Sequence, residues 1–281
     1  MMRSIVVALD GSASSANART LALEVAGRTG AALVGIGVLD VPWMNAPRAT
    51  PVGAGHYQAH RNETLLAEGR ETLRNRVDTF RAECEAASIP CAAIGVEGDP
   101  VEQIDAEADR HDLIVIGRET NFHGGENHDV GATVEKLLHD NPRPLMVAPE
   151  GKPTTANPDV VVVAFDGSVT SSRAMHMFLL LGLAKGREIH VVSVHKDKEV
   201  AINQAERGAV LFRNHGYKAQ ADGVATSGDP ADAILGAVSA TDAGRLVMGA
   251  FGHDGRLRRA LMGSTTTKLL REAPVPVFVH H

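Results

Sequence analysis

The sequence predicts an α/β fold built as two tandem, doubly wound, Rossmann-like domains, each with a parallel sheet. Three observations carry this. Stretches of strand length run apolar without polar alternation, as in Ile5-Val-Val-Ala-Leu9 and Val160-Val-Val-Val-Ala164, the mark of strands buried on both faces. They alternate with segments of helical period such as Ala16 to Gly27, Glu63 to Ala87 and Ala174 to Leu183, and that alternation implies a parallel sheet with helices on each side. The whole pattern is also written twice.

The repeat can be followed along the chain. Ser4-Ile-Val-Val-Ala-Leu-Asp-Gly-Ser returns as Asp159-Val-Val-Val-Val-Ala-Phe-Asp-Gly-Ser, so Asp10-Gly11-Ser12 matches Asp166-Gly167-Ser168. Asp and Ser at these points read as ordinary helix caps. Val41 to Gln58, with Trp43, Pro42, Pro47, Pro51 and His56, reads as a long loop inserted in the first half only. Gly98-Asp99-Pro100 recurs as Gly228-Asp229-Pro230, each ahead of a helical pattern. The strands Leu113-Ile-Val-Ile-Gly117 and Arg245-Leu-Val-Met-Gly249 follow, and both halves close on Pro-rich apolar runs, Pro142 to Val147 and Pro274 to Val279. Between the copies, Pro149 to Pro158 is rich in Pro, Gly and Thr, as a linker is. The boundary is expected near Thr154, giving domains 1–153 and 154–281.

Composition narrows the function classes. A net charge of −6 without a long basic run gives little electrostatic support for nucleic acid or an anionic membrane as partner. No apolar stretch reaches the length of a membrane span, and no signal-peptide pattern precedes the first strand, so a cytoplasmic protein is expected. The two cysteines, Cys84 and Cys91, match no metal or redox spacing and read as reduced thiols. The 13 histidines include His176, His190 and His195 near the second sheet, none spaced for acid–base work.

The most informative stretch runs from Val247 to Lys268. A buried strand passes Gly249 and Gly252, and Gly263-Ser264 then opens a helix with Ser264 as its expected N-cap. Ligands of open α/β sheets sit outside the carboxyl ends of the strands, which puts Asp166, Val194 and Gly249 on one rim. Glycines there admit a ligand close to the backbone, and the free N–H groups of a helix start favour phosphate. An anion, read as a nucleotide, is the expected ligand. Arg256, Arg258 and Arg259 read as a solvated face.

This combination resembles the universal stress protein family in its tandem form, over nearly the whole chain. The motif of a glycine, two residues, a glycine, nine residues, then Gly-Ser or Gly-Thr appears as Gly249, Gly252 and Gly263-Ser264. The interval His253 to Met262 is one residue longer than the family spacing, an expansion assigned to Gly255. The resemblance implies a fold of the adenine nucleotide alpha hydrolase type and a site for ATP or another adenine nucleotide, with or without Mg or Mn. The implied contacts are Asp166, Val194, Met248, Gly249, Gly252, Gly263, Ser264 and Thr265. Family members pair through the last strand, so Leu145-Met-Val-Ala148 and Val275-Pro-Val-Phe-Val279 are expected to join the halves as an intramolecular pseudo-dimer. Pro276 would then face away from the ladder, and further association into a homodimer is left open.

The first half keeps the scaffold with a weaker version of the site, at Asp10, Val38, Gly117, Gly131 and Thr133. Thr120 stands where the second glycine belongs and Ala132 where the serine belongs, and Glu119, Glu126 and Asp129 bring negative charge. His123 and His128 lack ligand spacing, so no metal is expected from protein side chains. No phosphate-loop, nucleophile-elbow, His-Glu-x-x-His or dinucleotide signature occurs, and no catalytic residue is assigned. The expected function is a nucleotide-dependent stress-response regulator with little or no turnover. Two alternatives stand beside it: an interaction scaffold that binds no nucleotide, and a slow ATP hydrolase or transferase.

Overall fold

The computed structural model describes residues 2–46, 55–120, 122, 130–151, 157–250 and 263–281, the side chains of 55–62 excepted. The first half runs β1 (Ser4–Ala8), α1 (Ala13–Thr29), β2 (Ala32–Leu39), α2 (Val41–Met44), α3 (Gly55–Ala86), β3 (Cys91–Glu97), α4 (Pro100–Ala108), β4 (Leu113–Gly117), α5 (Ala132–Asp140) and β5 (Leu145–Ala148). The second runs β6 (Asn157–Ala164), α6 (Val169–Leu180), β7 (Glu188–His195), α7 (Lys198–Asn214), β8 (Ala219–Ala225), α8 (Pro230–Ala240), β9 (Ala243–Gly249), α9 (Ser264–Glu272) and β10 (Val277–His280).

The strands form one sheet in the order β3-β2-β1-β4-β5-β10-β9-β6-β7-β8. Pairing within each half is parallel. The halves meet antiparallel, with Val277, Phe278 and Val279 opposite Val147, Met146 and Leu145. The expected pseudo-dimer is therefore a continuous sheet. Pro276 precedes β10 and adds only its carbonyl, which accepts from the Leu246 N–H at 3.0 Å, so its missing donor costs the ladder nothing.

Strand periodicity divides the core. Ile5, Val7 and Leu9 face a cluster with Phe80, Phe178 and Phe212, while Val6 and Ala8 face one with Ile104, Val134 and Leu270. Each such side chain contributes about 1.5–3 kcal/mol on burial. At the junction Phe178 of α6 meets Phe278 of β10 edge to face, ring centroids 5.3 Å apart.

The repeated polar motifs are helix starts. Asp99 accepts from the Val101 and Glu102 N–H groups at 2.9 and 3.1 Å, and Asp229 from Ala231 at 2.9 Å, each with proline in the first turn. Ser12 and Ser168 cap α1 and α6, accepting from Ser15 and Ser171 at 3.1 Å. Such a cap is worth about 1 kcal/mol. Gly11 and Gly167 just before them have φ of 83° and 76°, a backbone region that favours glycine.

Two expectations are corrected. The segment expected as a loop over 41–58 opens with α2, whose N-cap Asp40 accepts from the Trp43 N–H at 2.8 Å, and it ends inside α3, a helix of 32 residues against 17 for its counterpart α7. The insertion thus lengthens a helix as well as a connection; residues 47–54 lie outside the described residues, as does the boundary near Thr154. Ser264 is not the N-cap of α9. Gly263 holds that place with φ −59° and ψ 145°, and among the described residues no side chain caps the helix.

Candidate functional site

Parallel pairing of β6 with β7 and β9 brings three carboxyl ends together, so Asp166, Val194 and Gly249 do share a rim. Met248, next to Gly249, is buried at 3% exposure in the core beneath it. Asp166 is half-buried, and one carboxylate oxygen accepts from the Ser168 N–H at 3.0 Å. Gln204 of α7 reaches over the same turn and donates to the Asp166 carbonyl at 2.5 Å.

The two ends of the glycine motif have different physical reasons. A Cβ at Gly249 would lie 2.6 Å from the Ser171 N and 2.8 Å from the Thr170 carbonyl carbon. This glycine lets the first turn of α6 sit against the end of β9, whatever else occupies the rim. Among the described residues, a Cβ at Gly263 would meet nothing nearer than the Thr266 Oγ1 at 4.0 Å. Gly263 and Ser264 are exposed and Thr265 is half-buried. The first N–H groups of α9 have no partner within the helix, and the positive end of its dipole adds to the attraction for an anion. The group implied here is a phosphate, and an exposed helix start that no described side chain caps fits one. Gly252, Gly255, Arg256, Arg258 and Arg259 lie outside the described residues.

The corresponding rim of the first half is closed. Asp10 and Val38 are 4% and 2% exposed, where Asp166 and Val194 are half-buried. Gly117 packs on Ser14 and Ser15 as Gly249 packs on Thr170 and Ser171. At Gly131, however, a Cβ would lie 2.5 Å from the Thr120 carbonyl oxygen, and the Gly131 N–H donates to the Arg118 carbonyl at 2.8 Å. The loop's own backbone thus packs directly against Gly131; the residues that correspond to Glu119 and Thr120 in the second half lie outside the described residues. Thr133, on α5, is buried at 8% exposure. The acids Glu126 and Asp129 and the histidines His123 and His128 lie outside the described residues.

Arg76 has no signal in the local sequence. It descends from α3 onto the first-half turn, where a Cβ at Gly11 would meet its Nε at 2.6 Å. Burial lowers its pKa, opposed by the Asp10 carboxylate. Gln204, neutral, holds the equivalent place in the second half. Lys268, at the end of the motif stretch, points instead to α8, with Nζ 2.9 Å from Asp229 and 2.6 Å from Asp232. Those partners raise its pKa.

Among the described residues there is no group of three or more His, Cys, Asp or Glu able to hold a metal, and no helix long and apolar enough to cross a membrane. Cys84 is a buried free thiol pushed up to about 12, mainly by burial, and Cys91 is free and exposed.

Comparison with known proteins agrees with this architecture. The chain is similar over 99% of its length to a universal stress protein structure from Archaeoglobus fulgidus, covering 97% of that chain at 22% identity and a TM-score of 0.71. A putative universal stress protein from Pseudomonas aeruginosa covers 99% of this chain and 93% of its own at 19% identity and a TM-score of 0.60. A universal stress protein of Synechocystis sp. is 26% identical over 168 residues, which span 59% of this chain and 56% of that relative's length. The model of the universal stress protein family matches twice, over residues 1–149 and 158–281. The chain therefore belongs to the universal stress protein family, carrying two family domains in tandem.

Proposed function

We propose that the second half binds ATP or another adenine nucleotide and that the protein works as a nucleotide-dependent stress-response regulator of the cytoplasm, with little or no turnover. The observation that supports this most is the meeting of Asp166, Val194 and Gly249 on one rim in a half that also carries the exposed start of α9, which no described side chain caps. In this reading the α9 N–H groups at Ser264 and Thr265 take the phosphates, and Gly249 and Gly252 line the sugar and phosphates. Val194 and Met248 border the base, with Asp166 nearby. A divalent cation would reach the site on the phosphates. The first-half residues Asp10, Val38, Gly117, Gly131 and Thr133 keep the fold and give a weaker site or none. The domain division at 153/154 belongs to the same proposal.

The scaffold reading has one observation in its favour: Gly249 is fully accounted for by the packing of α6. Calorimetric titration of the intact chain with ATP separates the two. Binding near one equivalent is expected, lost in Ser264→Asp, whose carboxylate would compete for the same N–H groups and repel phosphate. A wild-type chain that takes up no adenine nucleotide defeats the proposal and leaves the scaffold.

A further inference from the structure

Far from the rim, at the amino ends of the strands, an open cleft with a largely apolar wall lies between the two halves. It has a volume of about 260 Å³ and is lined by Val25, Arg28 and Thr29 from the end of α1 and by Leu183, Lys185 and Arg187 from the turn ahead of β7. The 17 residues of α1, at 1.5 Å each, separate it from the turn at Ser12 by roughly 25 Å.

Its charge is unbalanced. Arg187 is 5% exposed and Arg245, behind it, 2%. Both share one carboxylate, Glu24 of α1, at 3.4 and 2.8 Å. Arg28 reaches across the seam to Asp159 at 2.8 Å and to the Lys185 carbonyl at 3.1 Å. Four cations, Arg28, Lys185, Arg187 and Arg245, thus meet two carboxylates, Glu24 and Asp159. The Arg187 Nη1 donates to the Pro158 carbonyl; the Arg187 Nε and the Arg245 Nε and Nη1 lie buried beneath the cleft wall, without an acceptor among the described residues, so they add positive potential to the cleft and the accessible donors are those of Arg28 and Lys185. Buried guanidinium donors are satisfied in stable proteins, and an unpaired one is costly. Burial, together with repulsion from Arg245 and Arg28, brings the Arg187 pKa down to about 9, which leaves it a cation at neutral pH.

We propose that this seam is a binding site for a small oxyanion of the phosphate class, either free phosphate or the head of a small phosphomonoester. Arginine forks suit phosphate oxygens, Arg28 and Lys185 approach from opposite halves, and the apolar wall of Val25 and Leu183 accommodates a short carbon stem. At about 260 Å³ the cleft lies just under the about 300 Å³ at which drug-sized ligands begin, a size that suits a small anion. Because one ligand is held by both halves, it stabilises their union.

The test is titration of the intact chain with inorganic phosphate and, separately, glycerol 3-phosphate, at constant ionic strength so that screening does not imitate binding. One equivalent is expected to bind and raise the melting midpoint. Arg28→Gln with Lys185→Gln, both at exposed positions, weakens it by about tenfold or more, the scale of one charge-assisted hydrogen bond. Lys185→Gln alone acts in the same direction on a chain whose fold is undisturbed. Ser264→Asp, at the nucleotide rim, leaves seam binding unchanged. Tighter binding of glycerol 3-phosphate assigns the site to monoesters, and tighter binding of phosphate to the free anion. Indifference to both ligands overturns the proposal. So does binding that survives the seam substitutions and disappears in Ser264→Asp, which would put the phosphate at the rim.

Discussion

Gly249 and Gly263 belong to one motif, yet alanine at each is expected to act on a different property. In Gly249→Ala the new methyl lies 2.6 Å from the Ser171 N, 2.8 Å from the Thr170 carbonyl carbon and 2.9 Å from the Thr170 Oγ1. Two of these atoms are backbone, so α6 must retreat from β9. Overpacking of this kind costs about 1–3 kcal/mol, and at about 2–4 °C per kcal/mol for a chain of this length the melting midpoint should fall by roughly 2–12 °C. In Gly263→Ala the nearest atom among the described residues is 4.0 Å away and φ is −59°, which alanine adopts freely, so stability should change by less than about 1 kcal/mol. Its methyl enters the space assigned to phosphate, and ATP affinity should drop by about tenfold, the loss of one charge-assisted hydrogen bond. Thermal melts with and without ATP, beside calorimetric titration, measure both effects. The reasoning is refuted if Gly249→Ala melts with the wild type, or if Gly263→Ala binds ATP as tightly as the parent.

Two further outcomes concern the core of the tandem. Burial, with repulsion from His281 and Arg173, holds His280 of β10 down to about 4, whereas an unfolded histidine titrates near 6.5. The unfolded chain therefore takes up its proton first: the stabilisation is complete above about pH 6.5 and lost as pH falls toward 4, by about 2 kcal/mol once solvent screening is allowed for. Urea midpoints across that range should fall less steeply in His280→Gln, and identical slopes would contradict the assignment. Glu24→Gln leaves the Arg187 and Arg245 guanidinium groups without their shared carboxylate. With Glu24 itself 40% exposed, the loss should be about 1–3 kcal/mol, below the full cost of breaking a buried pair. A midpoint unchanged in low salt would show that the seam does not need this charge.

What the sequence made legible was whatever local physics decides. Strands buried on both faces announce themselves as unbroken apolar runs, and Asp99, Asp229, Ser12 and Ser168 announce helix starts because capping needs only the next few N–H groups. The pairing of β5 with β10 was implied by the family resemblance, in which last strands pair, and the apolar edges left by the repeat agree with it. The start of α3 was hidden because Pro51-Val-Gly-Ala-Gly55 reads as loop, whereas the part legible from its period is the part that packs: Phe80 and Leu73 settle onto Gly35 and Gly37 of β2, where a Cβ would meet them at 2.5 Å. Ser264 misled because a serine beside a glycine normally caps, whereas here the glycine takes the extended conformation of the cap. The seam was invisible for a simpler reason. Glu24 lies 163 residues from Arg187 and 221 from Arg245, and no local pattern links charges that only the folded chain brings together.

The duplication also explains how the halves diverged. Once β5 and β10 are joined, the rim loop of one half lies beside the last helix of the other. Arg118, directly after Gly117, donates through both terminal nitrogens to the Arg271 and Ala273 carbonyls. A cation there complements the negative end of the α9 dipole and satisfies carbonyls the helix cannot. Its counterpart after Gly249 is Ala250, which offers no such side chain, and α5 receives no equivalent clamp from that position. The loop of the first half, folded onto Gly131 and overlain by Arg76 at Gly11, is thus committed to holding a helix of the second half. The start of that same helix, at Gly263, is exposed and has no side-chain cap among the described residues. In a symmetric pair of separate chains each rim would have to serve both purposes; fusing the copies lets one rim hold the helix on which the other depends.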